Sequence, residues 1–114
     1  MYQIDRGMAL IKPKQAFLDW LKALPGSELD ITLEQLRGDC TSVLLPLFSE
    51  LEEALAAIDE IYDEIFEMEL SSWSDEESLW PSERTVQLFW EWFDVELHSL
   101  VVDAMEDIPE AELP

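Results

Sequence analysis

Nine acidic residues and no base lie between Glu50 and Leu70 of this 114-residue chain. Within that stretch Glu53, Glu60, Glu64 and Glu67 recur at steps of seven, four and three, with Asp59 and Asp63 beside them. Residues three and four apart on a helix are neighbours, so these six carboxylates fall on one side of it. Such a column can do two kinds of chemistry. Clustered carboxylate oxygens attract hard divalent cations, and a bound metal can hold a phosphate. Ordered negative charge also attracts a basic protein surface.

The metal reading rests on Glu60-x-x-Asp63 and Glu64-x-x-Glu67, which resemble half of the acidic motif of Mg²⁺-dependent nucleotide pyrophosphohydrolases. That resemblance implies a second helix carrying acids at similar spacing. The nearest candidate, Asp103-x-x-Glu106, falls at the end of an expected strand, and no lysine follows Lys22 to hold a phosphate. The enzyme is therefore the alternative reading, and weak, non-catalytic adsorption of Ca²⁺ or Mg²⁺ fits the residues better. Carboxylates one helical turn apart are about 5–6 Å apart along the axis. Phosphates along one DNA strand have a spacing of the same order, so the boldest form of the basic-partner reading is DNA mimicry. The plain alternative is an acidic housekeeping protein whose helix carries no site and only a solvated face.

Other reactive groups are sparse. His98 is the single histidine, so no multi-histidine metal site can form; it alternates with Asp94 and Glu96, and a hydrogen bond to a neighbouring carboxylate is expected. Cys40 is the single cysteine and reads as a small, buried apolar residue. The only glycines are Gly7, Gly26 and Gly38, which leaves no nucleophile elbow or phosphate loop. No catalytic residue, metal or cofactor is expected, and the chain reads as a non-enzyme.

Two tryptophans, Trp73 and Trp80, punctuate an acidic polar loop with Asp75, Glu76 and Glu77. Buried aromatics supply most interface anchors. Trp73 and Trp80 therefore join Glu53, Asp59, Glu60, Asp63, Glu64 and Glu67 as candidate partner-binding residues; the competing reading folds both rings back over the core. The run Phe89-Trp90-Glu91-Trp92-Phe93 reads as core, and a surplus of rings that one chain cannot bury would favour a homodimer.

Charge narrows the partner. The formal net charge is −21, and residues 38–114 carry all of it, with Arg84 as their only base. Such a chain repels polyanions, so direct nucleic-acid binding is not expected. The apolar fraction is 48%, high enough to offset chain entropy and favour folding over disorder. One cysteine, no basic-then-apolar leader and no apolar stretch near the ~18 residues needed to span a bilayer point to a cytoplasmic protein with no membrane partner.

These residues need a scaffold. Met8-Ala9-Leu10-Ile11 reads as a strand closed by Lys12-Pro13, and Pro13 suits the first turn of a helix running to Leu24. Thr32 is expected to cap one or two helical turns ended by Gly38. Ser42 to Phe48 is a second strand, placed at a sheet edge or ended by Pro46. Ser49-Glu50-Leu51-Glu52 forms a capping-box pattern opening a helix over about 50–70, with Leu51, Leu55, Ile58, Tyr62 and Ile65 as its apolar stripe. A further helix spans 82 to Trp90, and Phe93, Val95 and Leu97 alternate with polar neighbours in a third strand extended by Leu100-Val101-Val102. A continuous helix over 82–105 is the alternative there. The expected fold is α+β: three short, mostly antiparallel strands covered by two or three helices, with an all-α bundle as the fallback. One globular domain spans 1–114, with 107–114 a frayed tail.

The blocks Lys12-Pro13-Lys14-Gln15 with Phe17-Leu18-Asp19-Trp20, and Trp92-Phe93-Asp94-Val95-Glu96-Leu97-His98-Ser99 with Val101 and Asp103, resemble an uncharacterised family of short acidic bacterial proteins. The resemblance implies a bacterial cytoplasmic setting. It implies no activity and carries over no catalytic residue.

Overall fold

The computed structural model describes residues 1–105; Glu106 and the expected tail, 107–114, lie outside the described residues. In chain order the elements are β1 (Tyr2–Gln3), β2 (Arg6–Pro13), α1 (Gln15–Lys22), α2 (Leu33–Gly38), β3 (Thr41–Pro46), α3 (Leu51–Ser71), α4 (Val86–Trp92), β4 (Phe93–His98) and β5 (Val102–Asp103). The fold is α+β. Its main sheet is antiparallel in the order β3-β2-β4, and β1 pairs with β5 in a small second sheet.

Alternation along β2 decides which way the sheet faces. Gly7, Ala9, Ile11 and Pro13 are buried, while Met8, Leu10 and Lys12 are only half-buried. Register carries the same division across the sheet: Leu45 faces Gly7, Val43 and Leu97 flank Ala9, and Phe93 faces Pro13. One face therefore lies on the helices and the other meets water, as antiparallel sheets allow. Phe93, Val95 and Leu97 point inward and Asp94, Glu96 and His98 outward, the alternation expected for this strand.

The core is rich in aromatic rings. Phe66 from α3 meets Phe93 edge-on with centroids 5.5 Å apart, Phe89 at 6.0 Å and Trp92 at 5.5 Å. Phe17 of α1 packs on Phe93 at 5.2 Å and on Trp20 at 5.4 Å. Tilted and edge-on pairs of this kind add stability beyond the area they bury. Phe89 and Phe93 are fully buried, and Trp90 and Trp92 pack on the core as half-buried rings. The aromatic run is thus seated largely within one chain, with part of the Trp90 and Trp92 rings left at the surface. Gly7 has a packing role as well. A Cβ there would run into the Phe48 ring, with Phe48 Cδ1 at 2.8 Å, so only glycine lets that ring lie over β2.

Several local expectations change. Pro13 ends β2 opposite Phe93 instead of opening a helix, and Lys14 is the N-cap of α1. The strand wins because Pro13 is buried in the sheet and its carbonyl accepts a hydrogen bond from Arg37. The Ser49 capping box does not form. Glu50 takes the N-cap position in extended conformation, and the Ser49 hydroxyl donates instead to Glu53 at 3.2 Å. Leu51 and Leu55 follow the apolar stripe, yet Leu51 is 58% exposed and Leu55 also lies at the surface, although Ala54 between them is buried. Thr32 does cap α2, with a reciprocal bond between its backbone N–H and Gln35. The expected extension of β4 is interrupted after His98, and Val102 pairs instead with Gln3 of β1.

Candidate functional site

The 21-residue helix α3 lies on the sheet through Ala54, Ile58, Ile65, Phe66 and Leu70, all buried. Those side chains fix which way its remaining residues point. At about 100° per residue, Glu53, Asp59, Glu60, Asp63, Glu64 and Glu67 occupy an arc of roughly 140° opposite the buried stripe. All six are exposed. From Glu53 to Glu67 the column runs about 21 Å along the axis. The six expected acids therefore form one coherent face.

They are not equivalent. Glu67 accepts a hydrogen bond at 3.0 Å from Arg84, the only base after Arg37. Glu53 accepts from Ser49, and Asp63 accepts from the Glu64 backbone N–H at 3.0 Å. Asp59, Glu60 and Glu64 make no ion pair among the described residues. Other ion pairs among the described residues include Lys12–Glu96 (3.3 Å) on the outer face of the sheet and Arg37–Asp94 (2.9 Å), which ties α2 to β4.

The two loop tryptophans part company. Trp80 folds back: it packs on the core, its indole N–H donates to the Ser74 carbonyl at 3.0 Å, and the Arg84 guanidinium lies 5.6 Å from the ring centroid. The Trp20 indole N–H ties the same loop down through the Leu79 carbonyl at 2.9 Å. Trp73 remains at the surface, 39% exposed. The chain brings Trp73 beside the end of α3, but not against the acidic column.

His98 Nε2 lies 2.8 Å from Glu96 Oε2, the carboxylate partnership expected from alternation. Hydrogen bonds from His98 and Lys12 hold the Glu96 carboxyl below its ordinary range. Cys40 is a free, half-buried thiol. Among the described residues no group of three or more His, Cys, Asp or Glu side chains could hold a metal ion. Asp103 lies in β5 opposite Tyr2, not on a second acidic helix.

The acid that stands out chemically is Glu69, one of the nine between Glu50 and Leu70. It is only 7% exposed, and burial raises its carboxyl above the ordinary value, with a Thr41 hydrogen bond opposing. Its Oε1 has no hydrogen-bond partner. Glu69 lines a cavity of about 200 Å³ whose floor is apolar (Ile11, Phe17, Leu36) and whose outer wall includes Asp39 and Trp73. A signal for this was present. The steps Ile58, Tyr62, Ile65, Glu69 continue the apolar stripe at four, three and four, which puts an acid on the core side of α3.

No family model, curated protein or solved structure matches the chain. The site must therefore be read from its own geometry. Among the described residues no helix is long and apolar enough to cross a membrane.

Proposed function

We propose that this chain is a non-enzymatic interaction domain of the bacterial cytoplasm whose α3 face binds a basic protein surface, in its boldest form by imitating DNA. One observation carries the reading: six exposed acids on one helix face have, among the described residues, a single base, Arg84, set against them. Like charges one turn apart cost a helix a few tenths of a kcal/mol per pair, about 0.2–0.5, and interspersed lysines would remove that cost. An arrangement that gives up stability for ordered charge favours association with cations, since such a face steers a basic partner and rejects polyanions. Three of the six bases, Lys12, Arg37 and Arg84, are already paired with acids in the fold, which supports a protein partner over direct contact with nucleic acid.

The test replaces Glu60, Asp63 and Glu64 by their amides and leaves Glu67, which Arg84 holds. Immobilised wild-type protein should capture a salt-labile basic protein from a bacterial lysate, and the variant should lose it. A captured DNA-binding protein should release duplex DNA when the wild-type chain is added. An identical set of captured proteins for both forms would end this reading.

A further inference from the structure

We propose that the open edge of β3 takes up an extended basic segment of a partner protein as a fourth strand, with alternate lysines lying over the groove between β3 and α3. This rests on the basic-partner reading of α3 and adds the partner's backbone form and residue pattern.

The two edges of the main sheet differ in chemistry. At one edge β4 carries Asp94 and Glu96, charges of the kind that keep a strand from pairing with another chain. At the other, β3 reads Thr-Ser-Val-Leu-Leu-Pro and holds no charge, in a chain where 29% of residues are charged. Only Pro46, which has no N–H, blunts it, and that is its last position. Among the described residues β3 has no backbone partner besides β2. Alternate N–H and C=O groups of such a strand point away from the sheet, and an added strand satisfies them.

Charge and shape beside the edge select the added strand. On the side facing α3, Val43, Ile61, Ile65 and Met68 line a groove of about 180 Å³ together with Glu64. Met68 is 42% exposed and Val43 and Ile61 are half-buried, so these walls are open to contact. Glu64 is exposed and makes no ion pair among the described residues. A lysine entering here lays its methylene stem on the apolar walls and its charge on Glu64. Spacing repeats the match. Glu60 stands one turn before Glu64, about 6 Å along the axis, and every second side chain of a strand recurs at about 6.6 Å. The other face of the added strand lies beside Leu44, which is 52% exposed, and β-branched apolar residues suit that contact. A second copy of this chain fits poorly. Antiparallel pairing of two β3 edges would set two α3 helices with the same acids on one face of the joined sheet, where like charges repel.

The probe is an end-blocked hexapeptide of alternating lysine and valine, titrated into the full chain and followed by amide NMR shifts and amide hydrogen exchange. Saturable shifts and slowed exchange at Thr41–Leu45 are expected. A hexapeptide with its lysines in one half and its valines in the other has the same charge without the alternation, and should bind at least tenfold more weakly. Leu44→Lys puts a charge on the open edge and should weaken the alternating peptide at least tenfold, while its melting curve shows it folded. Glu64→Gln should weaken it severalfold. Equal binding of the two peptides, with shifts on α3 alone, would overturn strand addition and leave the acidic face standing. No saturable shift in β3, or full affinity in Leu44→Lys, would overturn it whatever the lysate capture gives. Shifts in β3 that follow protein concentration without peptide would assign the edge to a second copy and overturn it too.

Discussion

Replacing Glu69 by leucine should make this protein more stable, although most core substitutions do the reverse. Glu69 Oε1 is buried without a partner, and such a group costs about 1–3 kcal/mol of desolvation. Leucine removes that cost and fills similar space between Ile65 and Leu70, but forfeits the Thr41 hydrogen bond, worth about 1 kcal/mol. The net gain at pH 7 is about 0–2 kcal/mol, and its central value near 1 kcal/mol would raise Tm by roughly 4–8 °C in a domain of this size. Acidity supplies an internal control. The folded-state value of Glu69 is raised above its ordinary 4.5, so on acidification the native state takes up this proton before the unfolded chain does. Native wild type is therefore stabilised as pH falls through the raised value, and that gain is complete below the ordinary value. The advantage of Glu69→Leu should accordingly be greatest at pH 7 and shrink toward pH 4. Melting curves of both forms by far-UV circular dichroism at half-unit steps measure the difference. A variant less stable than wild type at pH 7, or a gap that ignores pH, would refute the reasoning.

Other perturbations test other parts of the fold. Gly7→Ala drives a methyl into Phe48 and should cost about 1–3 kcal/mol in urea unfolding; an unchanged midpoint would mean that the ring moves aside freely. Phe66→Ala, at the centre of the ring cluster, should cost about 3–5 kcal/mol, whereas Trp73→Ala at the surface should stay within about 0.5 kcal/mol. Converting Glu60, Asp63 and Glu64 to amides should raise stability by about 0.5–1 kcal/mol at low salt, with the gain vanishing in 1 M NaCl as screening replaces it. An equal gain at both salt levels would point to helix propensity instead of charge.

Elements whose signal is local were legible in the sequence. The alternation of Phe93 to His98, the Thr32 cap and the length of α3 each depend on residues within a turn or two, and each stands in the structure. What escaped depends on distant partners. The pairing of Tyr2 and Gln3 with Asp103 and Val102 joins two short pieces from opposite parts of the chain, and two residues carry no readable period. Pro13 fits a helix start by its own chemistry, and only its neighbours Phe93 and Arg37 make it a strand end. Leu51 and Leu55 share a stripe with buried residues and yet stay exposed, which helical spacing alone does not reveal. At the candidate site the acidic column was readable because helical spacing alone fixes it. The fates of the two tryptophans were not, because they turn on hydrogen bonds to Ser74 and on the approach of Arg84.

The carboxylate column of α3, offset among the described residues by one ion-paired base, Arg84, concentrates negative charge on one side of the molecule and so gives it a preferred orientation in an electric field. Approaching any positively charged body, it will rotate until α3 leads and the strands trail. A bead coated with amines should therefore hold the protein in one attitude, with Arg6, Met8 and Leu44 turned toward the bulk liquid and open to a second contact.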